Sequence, residues 1–260
     1  MSRIQEQFQH FSSIKKSVII PYITPEFPVK GVSVPLILAL EAAGAGMIEV
    51  GIPFSDPLAD GPIIQHSSEI AIRNGATLTK VLDIVKEART KTSIPLILMG
   101  YVNPIIHYGF DRFFADAAAA GVDGLIIPDL PPEESEEFRA LCVKHGISSI
   151  FLIAPTSSDE RIRYIDEIST DFTYCVSVTG VTGARTAFGG NFDEFLVRVK
   201  LHTKKPFVVG FGIRGKEQVD HILLTANGVV VGSALIQAIA GCTSVGDVNT
   251  AAAAFISSLK

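Results

Sequence analysis

The chain has 260 residues, of which 47% are hydrophobic and 19% are charged. This balance is typical of a globular enzyme with a full core and excludes intrinsic disorder. There are 22 basic and 27 acidic side chains, the net charge is -5, and no basic run is longer than a pair, so we expect no nucleic-acid binding.

Strand-like and helix-like segments alternate along the chain. An amphipathic helix is predicted for the first dozen residues, because Ile4, Phe8 and Phe11 fall at helical spacing. The apolar runs that predict strands are eight in number: 18–23, 47–50, 95–99, 124–127, 150–153, 173–176, 207–211 and 228–231. Helices are predicted between them at 33–43, 61–74, 77–89, 110–120, from about 131 onward, 159–168, 192–201 and 216–225.

This alternation predicts parallel strands joined by helical crossovers. Eight such units in about 250 residues favour a closed (β/α)8 TIM barrel, here with an extra N-terminal helix, and an open doubly wound sheet is the alternative. A weak internal repeat supports repetition, since 42–48 and 119–125 each combine a helix end, a glycine and a strand. No linker divides the chain, so a single domain over residues 1–260 is predicted.

The cysteines indicate a reducing compartment. Cys142, Cys175 and Cys242 are odd in number and form no Cys-x-x-Cys motif, so neither a disulfide framework nor a zinc site is expected. Residues 1–6 lack the apolar core of a signal peptide, and the longest apolar run, 229–240, is too short and interrupted to span a bilayer. A cytoplasmic location is therefore predicted.

Two acids bracket a proline-rich loop after the second predicted strand. Glu49 is set within an apolar run, and Asp60 stands just before a predicted helix. Burial penalises the charged form of a carboxyl group, so such a position suggests a chemical use. The structural alternatives are an ion pair with a neighbouring strand for Glu49 and a helix N-cap for Asp60. Loops that follow the strands build the active site of such a barrel, so both acids are candidates for catalysis. For Glu49 catalysis is favoured, whereas for Asp60 taken alone the helix cap is the commoner role.

Glycine clusters follow the last strands. They lie at 210–214 after the seventh strand and at 232–234 after the eighth, with Gly180 and Gly183 after the sixth. Barrels of this type commonly hold a phosphate at these places on backbone N–H groups. An ordinary turn explains any one cluster, but together they predict a phosphorylated substrate.

Other chemistries have little support in the sequence. No His pair has metal-ligand spacing, so no metal is implied. No Lys lies within a predicted strand, so a Schiff-base aldolase is not expected, and carbon–carbon cleavage would need carboxylates and a substrate that accepts electrons. Asp129, ahead of Pro131 and Pro132, is predicted to be a helix cap rather than a catalyst.

Residues 48–62 resemble the signature of the tryptophan synthase alpha chain family. The resemblance extends in order to 98–104, 124–132, 177–185, 210–213 and 232–234. It implies a (β/α)8 barrel and a lyase of tryptophan biosynthesis, which cleaves indole-3-glycerol phosphate to indole and glyceraldehyde 3-phosphate.

The resemblance also implies residue roles. Glu49 would be the acid–base group, and Asp60 would accept a hydrogen bond from the indole N–H. The substrate-binding residues would be Tyr22, Met99, Tyr101, Leu152, Tyr174, Thr182 and Phe211. The phosphate-binding residues would be Gly183, Gly212, Gly232 and Ser233. No cofactor belongs to such a chain; its expected partner is a beta chain that carries pyridoxal phosphate, in a cytoplasmic heterotetramer of two alpha and two beta chains.

One loop departs from the family pattern. Family members commonly have Ala or Ser, then Gly, then Asp between Thr24 and Pro28, whereas this chain has Pro25, Glu26 and Phe27. Three functional alternatives remain at this point. They are a stand-alone lyase that releases indole, a non-catalytic phosphate-binding subunit, and another phosphate-binding barrel such as a sugar-phosphate isomerase or an indole-glycerol-phosphate synthase relative.

Overall fold

A computed structural model describes residues 1–176, 190–210, 212–213 and 215–260 of the chain. Its described strands run parallel in one nine-stranded sheet. They are β1 Val18–Ile23, β2 Ile48–Gly51, β3 Leu96–Met99, β4 Gly124–Ile126, β5 Ser148–Ile150, β6 Leu152–Ile153, β7 Thr173–Val176, β8 Phe207–Gly210 and β9 Gly228–Val231.

The order of strands across the sheet closes a barrel. The order is β5-β4-β3-β2-β1-β9-β8-β7-β6, and β5 and β6, at its two ends, are separated in the chain by Phe151 alone. The Phe151 carbonyl accepts a hydrogen bond from the Tyr174 N–H at 3.1 Å, which continues the pairing with β7. The predicted (β/α)8 barrel is therefore confirmed, and the open sheet is wrong.

The fifth predicted strand, 150–153, differs from what the structure shows. It begins earlier and is divided at Phe151 into β5, which pairs with β4, and β6, which pairs with β7. At the division the Phe151 N–H is held by the Ser169 hydroxyl at 3.2 Å rather than by a strand. The continuous stretch 148–153 therefore pairs with β4 through its first residues and with β7 through its last.

Twelve α-helices and one 3₁₀ turn lie in the described part of the chain. The helices are α1 Arg3–Ser13, α2 Ser33–Ala42, α3 Pro62–Arg73, α4 Leu78–Arg89, α5 Val102–Tyr108, α6 Phe110–Ala120, α7 Glu136–His145, α8 Asp159–Ile168, α9 Gly190–His202, α10 Lys216–Ile222, α11 Ser233–Ile239 and α12 Val245–Ser258. The 3₁₀ turn is Pro132–Glu134. Three of these helices, α5, α11 and α12, were not predicted from the sequence. No helix among the described residues is long and apolar enough to cross a membrane.

Helix α1 closes the amino end of the barrel. Ile4 and Phe8 are buried and pack among the side chains inside the barrel, where the Phe8 and Phe172 rings lie 5.5 Å apart edge to face. Burying each of these side chains stabilises the fold by about 1.5–3 kcal/mol. The helix begins with a capping box, in which the Ser2 hydroxyl accepts from the Gln5 N–H at 3.1 Å. With this end closed, access to the interior is from the carboxyl ends of the strands.

Candidate active site

Glu49 enters the barrel interior because strand side chains alternate between faces. Met47, two residues earlier, belongs to the cluster of side chains that fills the barrel interior, which we call the inner cluster. Ile48 and Val50 instead pack outward against the helices. Glu49 is 2% exposed and is paired in register with Tyr22 on one neighbouring strand and with Ile97 on the other. The strand thus places a carboxyl group in apolar surroundings, above the packed interior.

These surroundings raise the pKa of Glu49 to about 8, chiefly through burial and secondly through the negative charge of Asp60. Among the described residues, none donates a hydrogen bond to this carboxyl group. Glu49 therefore carries its proton at neutral pH, and its hydrogen-bonding capacity remains available to a bound molecule.

Asp60 is held by Tyr101. The Tyr101 hydroxyl oxygen accepts from the Ala59 N–H at 2.9 Å, which places the hydroxyl beside the Asp60 carboxylate, where it acts to lower the pKa of Asp60. Burial raises the pKa of Asp60 to about 6, and the Tyr101 hydrogen bond acts in the opposite direction. Asp60 is therefore mostly ionised at pH 7, while Glu49 is mostly protonated.

Asp60 is not a helix cap. The N-cap of α3 is Gly61, and no side chain caps this helix. The Asp60 carbonyl accepts instead from the side chain of Gln65, one turn into α3, at 2.8 Å. The structural alternative for Asp60 is wrong because its carboxylate turns toward Tyr101.

Two tyrosines reach into the same space, and each depends on a glycine of a neighbouring strand. A Cβ atom at Gly51 would lie 2.7 Å from Cζ of Tyr22, and one at Gly210 would lie 2.7 Å from Cε1 of Tyr174. Any side chain at either glycine would displace a ring. Burial raises the pKa of both phenols well above its ordinary value, so both stay neutral hydrogen-bonding groups.

The predicted pocket residues come together around the two acids. Tyr22, Met99, Leu152 and Tyr174 belong to the inner cluster or pack against it, and buried Tyr101 faces the Phe54 ring at 5.6 Å between centroids. Of the predicted site residues, Thr182, Gly183 and Phe211 lie outside the described residues.

The predicted phosphate-binding glycines follow neighbouring strands. Strands β8 and β9 pair directly, so Gly212 and Gly232 follow adjacent strand ends. Gly212 has φ 78°, a left-handed conformation that glycine adopts without strain, and Ser233 begins α11 directly after Gly232. This arrangement supplies backbone N–H groups at one side of the site.

Sequence analysis missed several polar contacts around the site. The Thr24 and Ser67 hydroxyls lie 2.7 Å apart and join the β1–α2 loop to α3. Ser67 and Ser68 are buried in an otherwise apolar helix face, and this pair of small polar residues was the available signal. The prediction that Asp129 caps the helix start that follows it is wrong, because Pro131 is the N-cap there and no side chain caps it. The Asp129 carboxylate accepts instead from the N–H of Val102, the first residue of α5, at 3.0 Å.

The described residues contain no group of three or more His, Cys, Asp and Glu side chains that could hold a metal ion. The described cysteines are free.

The closed barrel, with two acids at the carboxyl ends of its strands, places the chain among the (β/α)8-barrel proteins. The sequence profile of the family described as "Tryptophan synthase alpha chain" matches residues 8–257. The chain therefore belongs to the tryptophan synthase alpha chain family. Its members are lyases that cleave indole-3-glycerol phosphate in tryptophan biosynthesis, and this chain is a lyase of that kind.

Individual relatives agree with this assignment. The tryptophan synthase alpha chain of Prosthecochloris aestuarii is 46% identical, covering 95% of this chain and 96% of the relative. The crystal structure of tryptophan synthase subunit alpha from Legionella pneumophila superposes with a TM-score of 0.90 at 36% identity, covering 100% of this chain and 97% of that chain. A chain from the tryptophan synthase a2b2 complex of Pyrococcus furiosus has a TM-score of 0.85 at 41% identity, covering 94% and 97% respectively.

Proposed function

We propose that Glu49 and Asp60 perform the cleavage of indole-3-glycerol phosphate in this chain. The observation that carries the proposal is the placement of buried Glu49 and half-buried Asp60 at the carboxyl end of the barrel, in surroundings that separate the pKa values of the two acids. The pKa of Glu49 is raised to about 8 and that of Asp60 to about 6, so near pH 7 Glu49 carries a proton to donate and Asp60 carries a negative charge. Carboxyl groups whose surroundings separate their pKa values commonly take different roles, here proton transfer and charge stabilisation.

In the first step, protonated Glu49 donates its proton to C3 of the indole ring. Positive charge then develops at the ring nitrogen. The Asp60 carboxylate accepts the hydrogen bond from this N–H and stabilises the charge. Tyr101, which holds the carboxylate, keeps it aimed at the ring.

In the second step, the Glu49 carboxylate takes the proton of the hydroxyl on the side-chain carbon attached to C3. The bond from that carbon to C3 breaks, a carbonyl forms, and the electron pair returns to the ring. The products are indole and glyceraldehyde 3-phosphate, and Glu49 regains its proton. Because the ring itself accepts the electron pair, no Schiff base is needed.

The remaining predicted residues would hold the substrate. Backbone N–H groups at Gly212, Gly232 and Ser233 would bind the phosphate, together with Gly183 in the segment outside the described residues. The indole would lie among Tyr22, Met99, Tyr101, Leu152 and Tyr174, with Phe211, and Thr182 would approach Asp60. This assignment is supported by the place of the described members around the two acids.

A beta chain is the proposed partner, and pyridoxal phosphate would belong to that chain. Two exposed apolar side chains support a protein surface beside the site: Leu58, in the loop that carries Asp60, is 78% exposed, and Ile106 of α5 is 56% exposed. The solved a2b2 complex of Pyrococcus furiosus contains a chain of the same fold. The free cysteines support a cytoplasmic location.

An indole-release assay tests substrate, reaction and partner together. The purified chain is given indole-3-glycerol phosphate with and without a beta chain, and indole and glyceraldehyde 3-phosphate are both quantified. We expect equal amounts of the two products and a faster rate with the beta chain. Absence of product under both conditions would contradict the function, and equal rates would favour a stand-alone lyase. The substrate without its phosphate is the control and should react poorly.

A further inference from the structure

The loop between β1 and α2, residues 24–32, contains a buried acid in an unfavourable conformation. Glu26 is 3% exposed and has φ 63°, in the left-handed region that non-glycine residues rarely adopt. It stands within the Pro25-Glu26-Phe27 segment that departs from the family pattern. Burial of the carboxylate and a left-handed backbone are both costly, so their coincidence requires compensating contacts.

The compensation comes from the other end of the same loop. The Ser33 hydroxyl accepts from the Glu26 N–H at 2.8 Å and donates to Glu26 Oε1 at 2.9 Å. The Gly31 N–H donates to Glu26 Oε2 at 2.6 Å. We call Glu26, Gly31 and Ser33 the Glu26 clasp. Because Ser33 is the first residue of α2, the clasp joins the start of the loop to the helix that ends it.

The clasped loop in turn holds α3 along its length. The Asn74 side chain, at the end of α3, donates to the carbonyls of Glu26 at 2.8 Å and Pro28 at 3.3 Å. Thr24 meets Ser67 in the middle of the helix. At the first turn, Phe27 lines an apolar cavity of about 240 Å³ together with Pro62 and Ile63.

The position of α3 determines where Asp60 lies. Helix α3 begins at Pro62, two residues after Asp60, and its Gln65 side chain holds the Asp60 carbonyl. A shift of α3 would therefore move the backbone of Asp60 relative to the ring that its carboxylate must meet. Displacements of about 1 Å reduce rates strongly when a reaction depends on alignment.

We propose that Glu26 is a positioning residue for Asp60: through the clasp it fixes the β1–α2 loop, the loop fixes α3, and α3 fixes Asp60. The proposal rests on the proposed role of Asp60 in the lyase reaction. Glu26 itself touches no reacting atom.

Glu26→Gln is the direct test, because it keeps the size and the backbone requirement but turns one acceptor into an NH₂ group that faces Gly31 or Ser33. We expect kcat for indole release to fall about 5–20-fold, with KM changed less than twofold. Exposed Lys30 lies on the same loop, and Lys30→Gln is the matched control, which should leave both constants unchanged. Glu26→Gly removes the clasp without left-handed strain and should show the same loss, which covers the case in which Glu26→Gln folds poorly.

A double-mutant cycle shows whether Glu26 acts through Asp60. In an Asp60→Asn background, Glu26→Gln should lower kcat no further, because the group it positions has been neutralised. Effects that multiply would overturn the proposal, as would full activity of both Glu26 variants.

Hydrogen exchange separates this proposal from the proposed function. Amides of residues 52–65 should exchange faster in Glu26→Gln than in the wild type and in Lys30→Gln. If the wild type releases no indole, the proposed function fails, and this measurement still tests whether the clasp holds the Asp60 segment. Unchanged exchange would overturn the proposal.

Discussion

The two ends of the barrel each hold buried acids, but their surroundings are opposite. At the amino end, Asp123 accepts from Arg3 at 2.8 Å, from Arg89 at 2.7 Å and from the Leu96 N–H at 2.8 Å. Asp171 accepts from the side chains of Ser2, Gln5 and Ser148, at 2.7, 2.8 and 2.5 Å. At the carboxyl end, no described residue donates to the Glu49 carboxyl group.

This difference separates structural acids from chemical ones. The carboxylates at the amino end have their acceptor positions filled, and they tie α1 to the bottom of the barrel. Glu49 is as deeply buried as they are, but no described residue donates to its carboxyl group, and burial together with the charge of Asp60 raises its pKa. Burial of an acid is therefore a weak sign of function unless its hydrogen-bond partners are also counted.

The largest expected effect is on the reaction at Glu49. Glu49→Gln keeps the size of the side chain and removes the proton that is transferred, so indole release should fall about 10³–10⁴-fold. Binding of glyceraldehyde 3-phosphate, measured by calorimetry, should remain. Asp123→Asn, the same kind of change at the other end, should leave kcat within twofold in the folded protein. Normal turnover of Glu49→Gln would refute the proton-transfer role.

Asp60→Asn should have the next largest effect, a loss of about 10²-fold in kcat/KM, because the charge that stabilises the ring nitrogen disappears. The same substitution removes the negative charge that raises the pKa of Glu49. The alkaline limb of the pH–rate profile, near pH 8 in the wild type, should therefore move to lower pH. An alkaline limb that stays in place would show that the two acids do not interact.

The contribution of Glu49 to the free energy of unfolding should fall as the pH rises, which is opposite to the usual behaviour of a carboxyl group. Its pKa is raised in the folded protein from 4.5 to about 8, so the stability that protonated Glu49 contributes is complete below pH 4.5 and is lost as the pH rises through 8. Glu49→Gln avoids this loss and should be more stable than the wild type at pH 9 by on the order of 4 kcal/mol. Urea unfolding at pH 4 and pH 9 measures the difference, which should vanish at pH 4.

Asp123→Asn should act in the opposite direction. It leaves Arg89, whose side chain is 15% exposed, without its partner, and should lower the free energy of unfolding by about 3 kcal/mol. The ion pair with Arg3, whose side chain is 44% exposed, adds little. Urea unfolding at pH 7 is the measurement. A variant as stable as the wild type would show that the ion pair between Arg89 and Asp123 contributes nothing to the free energy of unfolding.

Tyr101→Phe should give the smallest change. The lost hydroxyl lowers the pKa of Asp60 in the wild type, so its removal should move the acidic limb of the pH–rate profile upward from about pH 6, with a loss in kcat of about fivefold. Tyr108→Phe is the control, since that hydroxyl serves Asp116 at 2.7 Å outside the site. An unmoved acidic limb would indicate that Asp60 does not titrate there.

Much of the barrel could be predicted because apolar periodicity is local. Strands β1 and β9 have the predicted bounds, since each is a compact run of apolar residues. Helices α5 and α11 were missed because seven residues give little periodic pattern, and α10, of the same length, was predicted three residues too long. The break at Phe151 was missed because the apolar run 150–153 gives no sign that its two parts pair with different strands.

Part of the candidate site could also be predicted from the sequence, and part could not. The presence of Glu49 in an apolar strand, and of Asp60 at the end of a rigid loop, could be predicted from residue types and order alone. The choice between cap and site residue for Asp60 could not, because it depends on Tyr101, which lies 41 positions away on another loop.

The sequence by itself determined the alternation of strands and helices, and with it the barrel, because burial of one face of each element repeats at a fixed local period. It also determined which residues carry titratable groups at strand ends. Only the tertiary structure decided which buried acids are satisfied by donors and which are not. That depends on chain segments distant in sequence, such as Arg3 and Arg89 at Asp123, and their meeting has no local signature.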